Sequence, residues 1–383
     1  SPEKQFLLCE IFSLREKSLH YFLSSFHSDT LTAIKTPLRC TSLRPSFHSG
    51  EIFYFVKNSR ALRLVPFRSL NRDVICNSEI SLRILERGKS YKLTSLSYFI
   101  MKATQLYQHL EKDFITPEMS DEWAQYMDSV ANFLSENFKK RSMGLVCDFA
   151  TEINKVYTAV FPSKEVMQRI LDDGTQDAML FVHHPSIWDI RKAPEVFQQM
   201  NRNLLQQFRD RKISIYNLHV PLDNFGEYST SVTLAKTLGI KPEESFAPYF
   251  GSMCGVFGKT DIATVQDLRK RFQEAVGHGV NLYNYGDNEI KDRTVAVIAG
   301  GGNDADMLEE IAKAGVNTFV TGITAKNEHS KKAHDFAEKH RINVLGGTHY
   351  STERFACISM VDYFKKVGLP SEFIEDKPVM EDM

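Results

Sequence analysis

Five consecutive apolar residues, Ala178-Met179-Leu180-Phe181-Val182, run directly into His183-His184-Pro185. A half-exposed strand or surface helix would interrupt such a run with regularly spaced polar residues. Apolar side chains on both faces need cover on both faces, which is the condition of a central strand in a parallel sheet. Pro185 holds His184 to extended geometry, so the strand ends there and delivers two imidazoles at its carboxyl end. Two later runs behave alike. Ile213-Ser214-Ile215-Tyr216 precedes His219 and Asp223, and Ile342-Asn343-Val344-Leu345 precedes His349 and Glu353.

Around these runs the chain alternates strand-like and helix-like segments. Helical spacing covers about 101–113, 121–139, 163–173, 194–210, 228–238, 264–277, 303–314, 327–340 and 350–366. Short runs such as Val156–Val160 and Val295–Ile298 lie between. Glycine follows several of the helical patterns, as at Leu238-Gly239-Ile240 and Ala314-Gly315-Val316, where a helix C-cap requires it. The alternation predicts an α/β fold of two similar α/β lobes around a mostly parallel sheet, with lobes at 101–240 and 241–383. The lysine, proline and glycines of 241–262 read as a connection between the lobes. In open α/β sheets ligands bind at the carboxyl ends of the strands, and all three histidine motifs occupy such ends.

The bulk composition excludes several classes. A net charge of −1 leaves no electrostatic footprint for nucleic acid or an anionic membrane. No segment reaches the ~18 apolar residues of a membrane helix. The six cysteines form no C-x-x-C pair, which argues for free thiols in a reducing, cytoplasmic compartment and against a structural zinc finger. Charge is unevenly spread: residues 1–100 hold 15 Lys+Arg against 8 Asp+Glu, and their positive excess is cancelled by the remainder. The first methionine is Met101, which opens a helical pattern. Three readings of 1–100 stand side by side: a start assigned too early, an extra domain, or an organelle-targeting extension. The last fits poorly, because transit peptides are poor in acidic residues.

Taken singly, each motif also has an ordinary reading. His183 and His184 fit surface or capping histidines, and Asp223 fits a turn. His349 and Glu353 fit a helix pair on a solvated face. The Pro221 between His219 and Asp223 disfavours a helix interior, so that segment reads as a loop. His349 and Glu353, four apart with Tyr350-Ser351-Thr352 between them, fall on one face of a first helical turn. Together the motifs describe one metal centre. Histidines with carboxylates suit Zn, Mn or Fe rather than Mg or Ca. The number of donors exceeds one tetrahedral zinc and matches two divalent metal ions ~3.5–4 Å apart, a site that acidifies water.

Two glycine motifs are set aside. Gly258-Lys259-Thr260 lacks the earlier glycine of a phosphate-binding loop, because Met253 stands there. Gly300-Gly301-Gly302 followed by Asn303-Asp304-Ala305 satisfies G-x-G-x-x-A, but the next strand end, Val320-Thr321-Gly322-Ile323, carries no acid for a ribose. A tight turn lining the metal crevice is the reading retained.

With Phe181–Pro185, His219–Asp223 and Gly347–Arg354 in this order, residues 101–383 resemble the GTP cyclohydrolase 1 type 2 homologs, also called NIF-three-like proteins. Gly255–Gly258, Val295–Gly301 and Asn317–Gly322 look like further landmarks of that family. The resemblance implies a two-lobed α/β fold, a dinuclear metal centre and ring-like hexamers. By position it implies His183, His184, Asp223, His349 and Glu353 as metal ligands, with His219 a nearby proton carrier. The implied activity is opening of the GTP purine ring by water. The chain departs from the pattern in three places. The early Glu-Trp-Asp-Asn-x-Gly-Leu motif survives only as Asp121-Glu122-Trp123 and Gly144-Leu145. Phe161 and Ile323 replace two customary acids. Two function classes therefore follow: a metal-dependent hydrolase of a nucleotide-like small molecule, GTP included, or a metal-binding scaffold without turnover.

Overall fold

The computed structural model describes residues 100–383 other than 190, 191, 193 and 194, together with backbone strands between 53 and 92. Ser1–Tyr98 and Phe99–Met383 are separate compact units. In the first, Phe53–Asn58 pairs antiparallel with both Ala61–Pro66 and Glu79–Ser81, and Arg83–Glu86 pairs with Lys89–Lys92. The three readings of 1–100 otherwise lie outside the described residues.

The second unit is α/β and is built on two sheets. The first contains β1 (Gly144–Cys147), β2 (Lys155–Ala159), β3 (Ala178–Val182) and β4 (Ile213–Asn217), with Ser371–Phe373 added beside β2. All of these strands run parallel except β1, an antiparallel edge. The unbroken apolar run of β3 has the meaning expected of it. Leu180 and Val182 pack on one face with Ile170, Leu204 and Phe208, and Met179 and Phe181 pack on the other with Leu106, Met360 and Phe364. Helices thus cover both faces. At ~25 cal/mol per Å² of apolar surface removed from water, this two-sided burial is the main stabilising term of the lobe.

The second sheet holds β5 (Ile240–Tyr249), β6 (Ser252–Thr260), β7 (Asn281–Tyr283), β8 (Thr294–Val297), β9 (Thr318–Thr321) and β10 (Asn343–Gly346), in the order β5-β6-β8-β9-β10-β7. Its centre, β8-β9-β10, is parallel, and antiparallel strands flank it on both sides. Val295, Val297 and Val320 face one core and Ala296 and Phe319 the other. The helix His349–Lys366 leaves β10 and packs its far end against the first sheet, and Ser371–Phe373 (β11) then joins that sheet.

Three local expectations change. Residues 241–262 are no linker: they form the long β5-β6 hairpin at the edge of the second sheet. Residues 121–139 do not make one helix. Two 3₁₀ turns, Trp123–Tyr126 and Asp128–Phe133, come first, and Ser135 then caps a short helix, Glu136–Arg141. Met127, Val130 and Phe133 are all buried at a spacing of three, the repeat of a 3₁₀ helix, which a 3.6-residue search also accepts. The pattern over 194–210 is helical only across Arg202–Asp210, where the Asn201 side chain caps the first turn. Phe197–Gln198 pairs instead with Ile187–Trp188. Among the described residues no helix is long and apolar enough to cross a membrane.

Candidate metal centre

The ladder of the first sheet continues past β3: His183 N–H donates to Ala159 O and His184 N–H to Val160 O. Both imidazoles are therefore held by a rigid element and are buried. At the end of β4 the structure corrects the expected loop. His219 precedes a single helical turn, Val220–Asp223, with Pro221 in its first positions. Proline costs nothing there, because N–H groups of the first turn have no helical partner. Asp223 thus sits one turn beyond His219. After β10, the Thr348 side chain caps the helix His349–Lys366 in a capping box with Ser351, and this sets His349 and Glu353 one turn apart as expected.

Glu353 is the hub. Its Oε2 lies 2.9 Å from His184 Nε2, and its Oε1 lies 3.0 Å from His349 Nε2 and 3.5 Å from His183 Nε2. His183 Nε2 is also 3.5 Å from Asp223 Oδ1, while Thr230 Oγ1 donates to the same Asp223 oxygen at 2.7 Å. On its other side, His183 Nδ1–H donates to Leu218 O at 2.9 Å. That bond places the lone pair of a neutral His183 on Nε2, between two carboxylates, with no hydrogen-bond partner. The 3.5 Å gaps are too long for hydrogen bonds. They match the ~3.4 Å spanned by two ~2.1 Å metal bonds at a tetrahedral angle. The donor set fits a metal. Two groups of side chains bring ligand atoms within 4.8 Å of one another: His183, His184 and His219, and His184, His349 and Glu353. His219, expected only as a proton carrier, is thus as close to the paired histidines as a ligand would be, and its Nε2 is 3.8 Å from Asp223 Oδ2.

The electrostatics follow from burial opposed by pairing. Burial resists a charge on His183, but Glu353 and Asp223 outweigh it and push the imidazole up to about 9. At His184 burial prevails over the pull of Glu353 and holds the ring well below its ordinary value. Burial likewise resists charge on His349, and there Glu353 wins and raises it. Burial pushes Asp223 up. Burial also opposes ionisation of Glu353, yet the three imidazoles hold its carboxyl well below the usual range.

Two neighbours escaped the sequence reading. Asp121 Oδ2 lies 2.9 Å from His219 Nδ1, and Trp123 Nε1–H lies 3.0 Å from the same nitrogen. In the sequence, 121–123 shows only as a motif remnant. Its separation of 96 to 98 residues from His219 leaves no local pattern to find. Asp382 Oδ2 accepts from His349 N–H, so the chain's last turn also touches this helix start. Phe161 lies flat on His184 with ring centroids 5.0 Å apart, and meets His349 edge-on at 5.4 Å. Ile323 lines the wall of the cavity above the histidines.

The glycine turn after β8 lines this crevice, as read from the sequence. Gly300 has φ +71°, and a Cβ there would fall 2.1 Å from Glu353 Oε1. Gly300→Ala is therefore expected to displace Glu353, to cost ~1–3 kcal/mol for the left-handed backbone and the clash, and to at least halve the bound metal. Thermal unfolding and elemental analysis measure both; full metal content would show that the turn does not hold Glu353.

Comparison with known proteins gives one family. A family model described as Duf34/NIF3 (NGG1p interacting factor 3) matches residues 119–378. Proteins named GTP cyclohydrolase 1 type 2 homolog are similar over most of their length. The one from Archaeoglobus fulgidus is 28% identical over 235 residues, covering 61% of this chain and 88% of that protein. The one from Pyrococcus horikoshii is 27% identical over 260 residues, covering 67% and 97%. Among solved structures, the protein ybgI, described as of unknown function, aligns with a TM-score of 0.55 at 21% identity over 73% of this chain and 100% of its own. Reduced HcgD from Methanocaldococcus jannaschii aligns at 0.53 and 19% identity, covering 73% and 99%. The likeness to these structures is one of fold.

Proposed function

The chain belongs to the Duf34/NIF3 (NGG1p interacting factor 3) family, and we propose on that footing that it is a dinuclear metal-dependent hydrolase of a nucleotide-like small molecule such as GTP. The observation that carries the reading is Glu353, a buried carboxylate shared by three imidazoles from two different sheets. In this reading His183, His184, Asp223, His349 and Glu353 hold two divalent ions, Zn, Fe or Mn. When bound, such ions polarise the substrate and make water nucleophilic near neutral pH.

The chain's own residues supply the rest. Glu353 and Asp223 balance the charge of the ions, and the Leu218 carbonyl fixes the ring of His183. His219 carries the proton. Its Nδ1 faces both an indole N–H and a carboxylate. Donating to Asp121 leaves a lone pair on Nε2 to take a proton, while accepting from Trp123 leaves Nε2 with a proton to give. Both tautomers have a partner, the property wanted of a general acid and base.

A scaffold without turnover is the second reading, and it is favoured by Phe161 and Ile323, which set apolar groups around the site. Both readings share a metal test. Purified full-length protein is expected to hold about two ions per chain by elemental analysis, and His183→Ala is expected to lose them. Metal-free protein whose properties are unchanged by His183→Ala would end the metal reading. Metal-dependent turnover in a screen of nucleotides and phosphoesters would separate hydrolase from scaffold. The same proposal takes the protein as a cytoplasmic, ring-forming hexamer. The resemblance supports this assembly, the buried free thiols of Cys147, Cys254 and Cys357 among the described residues support a reducing compartment, and light scattering would measure the mass.

A further inference from the structure

The 3₁₀ turn Met380–Asp382 is bonded to two strand exits of the second sheet at once. Asp382 is only 1% exposed, and a carboxylate so buried must be held by donors. Its Oδ2 accepts from His349 N–H at 2.9 Å, at the start of the helix that follows β10. Its main-chain carbonyl accepts from Thr324 N–H at 2.7 Å and from Ala325 N–H at 2.9 Å. Those two residues belong to the loop after β9, whose Ile323 and Ala325 line the cavity over the histidines. One atom of Asp382 is left over. Oδ1 is buried without a hydrogen-bond partner, and so is Nδ1 of His349, the residue that Asp382 already holds.

The two unpartnered atoms share one explanation. His349 Nε2 lies 3.0 Å from Glu353 Oε1, so a neutral ring donates through Nε2 and keeps its lone pair on Nδ1. Nδ1 and the Asp382 carboxylate are then both acceptors, and two acceptors cannot bond. An ion at the centre needs the Nε2 lone pair, which leaves the ring proton on Nδ1. The free acceptor on the residue already bonded to His349 is Asp382 Oδ1. An imidazole ligand whose second nitrogen donates to a carboxylate is fixed in tautomer and orientation and is made more basic. Resting on the metal-centre reading, we infer that Asp382 is a positioning residue for His349, held ready to accept the Nδ1–H of the ring that binds a metal through Nε2. It acts through His349 alone. The ordinary alternative is a helix cap, since a carboxylate is favoured at a helix start. Capping uses one oxygen and leaves the buried Oδ1 unaccounted for.

Asp382→Asn separates the two roles, because the amide oxygen still accepts from His349 N–H while the NH₂ group cannot accept from Nδ1–H. In the full-length, metal-free protein this variant is expected to melt within about 4 °C of the wild type. By calorimetric titration it is expected to bind Zn(II) about 10–100-fold more weakly. Asp382→Ala, which removes cap and acceptor together, is expected to lose the same affinity and to melt lower as well. Proton NMR of the Co(II)-loaded protein gives the specific signature. In Asp382→Asn one exchangeable imidazole N–H signal is expected to broaden through faster exchange with water, with the other imidazole N–H signals unmoved. A cap alone would leave them all unmoved. The inference is overturned if Asp382→Asn binds Zn(II) within about threefold of the wild type, if its N–H signals match those of the wild type, or if it loses as much stability as Asp382→Ala. A wild type that holds metal alongside any of those results removes this inference alone. A wild type that binds neither Zn(II) nor Co(II) ends the metal reading itself, and this inference with it.

Discussion

Glu353→Gln is expected to empty the centre: bound metal falls from about two ions per chain to less than half an ion, because the carboxylate that faces three of the proposed ligand imidazoles is lost. The substitution preserves shape, so the helix His349–Lys366 and its cap remain. What changes is charge. An amide presents one oxygen and one NH₂ group to three imidazoles that now share a carboxylate. The NH₂ group competes with whichever ring it faces, and the ion loses its main anion. Loss of an outer hydrogen-bond partner costs ~10–100-fold in metal affinity, and loss of a shared ligand is expected to exceed that range. Calorimetric titration of the metal-free variant with Zn(II) reads the affinity directly. Wild-type affinity in the variant would remove Glu353 from the ligand set.

The second large effect is with pH, and its sign differs between the metal-free and metal-loaded protein. In the metal-free fold His183 is raised from 6.5 to about 9, with burial overcome by Glu353 and Asp223. A raised folded value means that the ion pairing stabilises fully below ~6.5 and is lost as pH climbs through about 9, a change on the order of 3 kcal/mol. Metal-free protein is therefore expected to melt progressively earlier across that window. Metal affinity runs the other way. An ion must displace the proton from His183, so affinity rises by about tenfold per pH unit for one proton released and then levels off. Melting curves and Zn(II) titrations at pH 6, 7, 8 and 9, in buffers of different ionisation enthalpy, measure the slope and the proton count. In Glu353→Gln both slopes flatten, because the main group holding the proton on His183 is gone.

How much of this was legible in the sequence depended on whether the cause was local. The apolar run of β3 reported two covered faces, and the motif at its end reported a strand exit; both readings needed only neighbouring residues. The one-turn spacing of His349 and Glu353 was readable for the same reason, since Thr348 and Ser351 cap that turn within the segment. Pro221 misled. It forbids a helix interior but is tolerated at a helix start, and nothing nearby marks where the turn of Val220–Asp223 begins. The β5-β6 hairpin was hidden because glycines and a proline signal both linkers and irregular edge strands. Asp121 and Trp123 were out of reach for another reason. Their partner is His219, and pairing across some 96 to 98 residues leaves no period to detect. The aromatic groups around the histidines were equally hidden: Trp188 and Phe197 are partners across one short strand pair, but Tyr249 arrives beside His219 from the β5-β6 hairpin, far along the chain.

The path of the helix His349–Lys366 has a consequence for synthesis. Its first turn brings two of the five proposed ligands, its far end packs on the first sheet, and β11 closes that sheet beside β2. A growing chain that has already made β1 to β4 still lacks an edge strand, the helix covering one face, and the shared carboxylate. The first lobe and the metal centre are therefore completed in one event, once Ser371–Phe373 has left the ribosome. Fragments that stop short of His349 should be metal-free and those that stop short of Ser371 unstable, so the metal centre and the sheet edge it depends on are completed together.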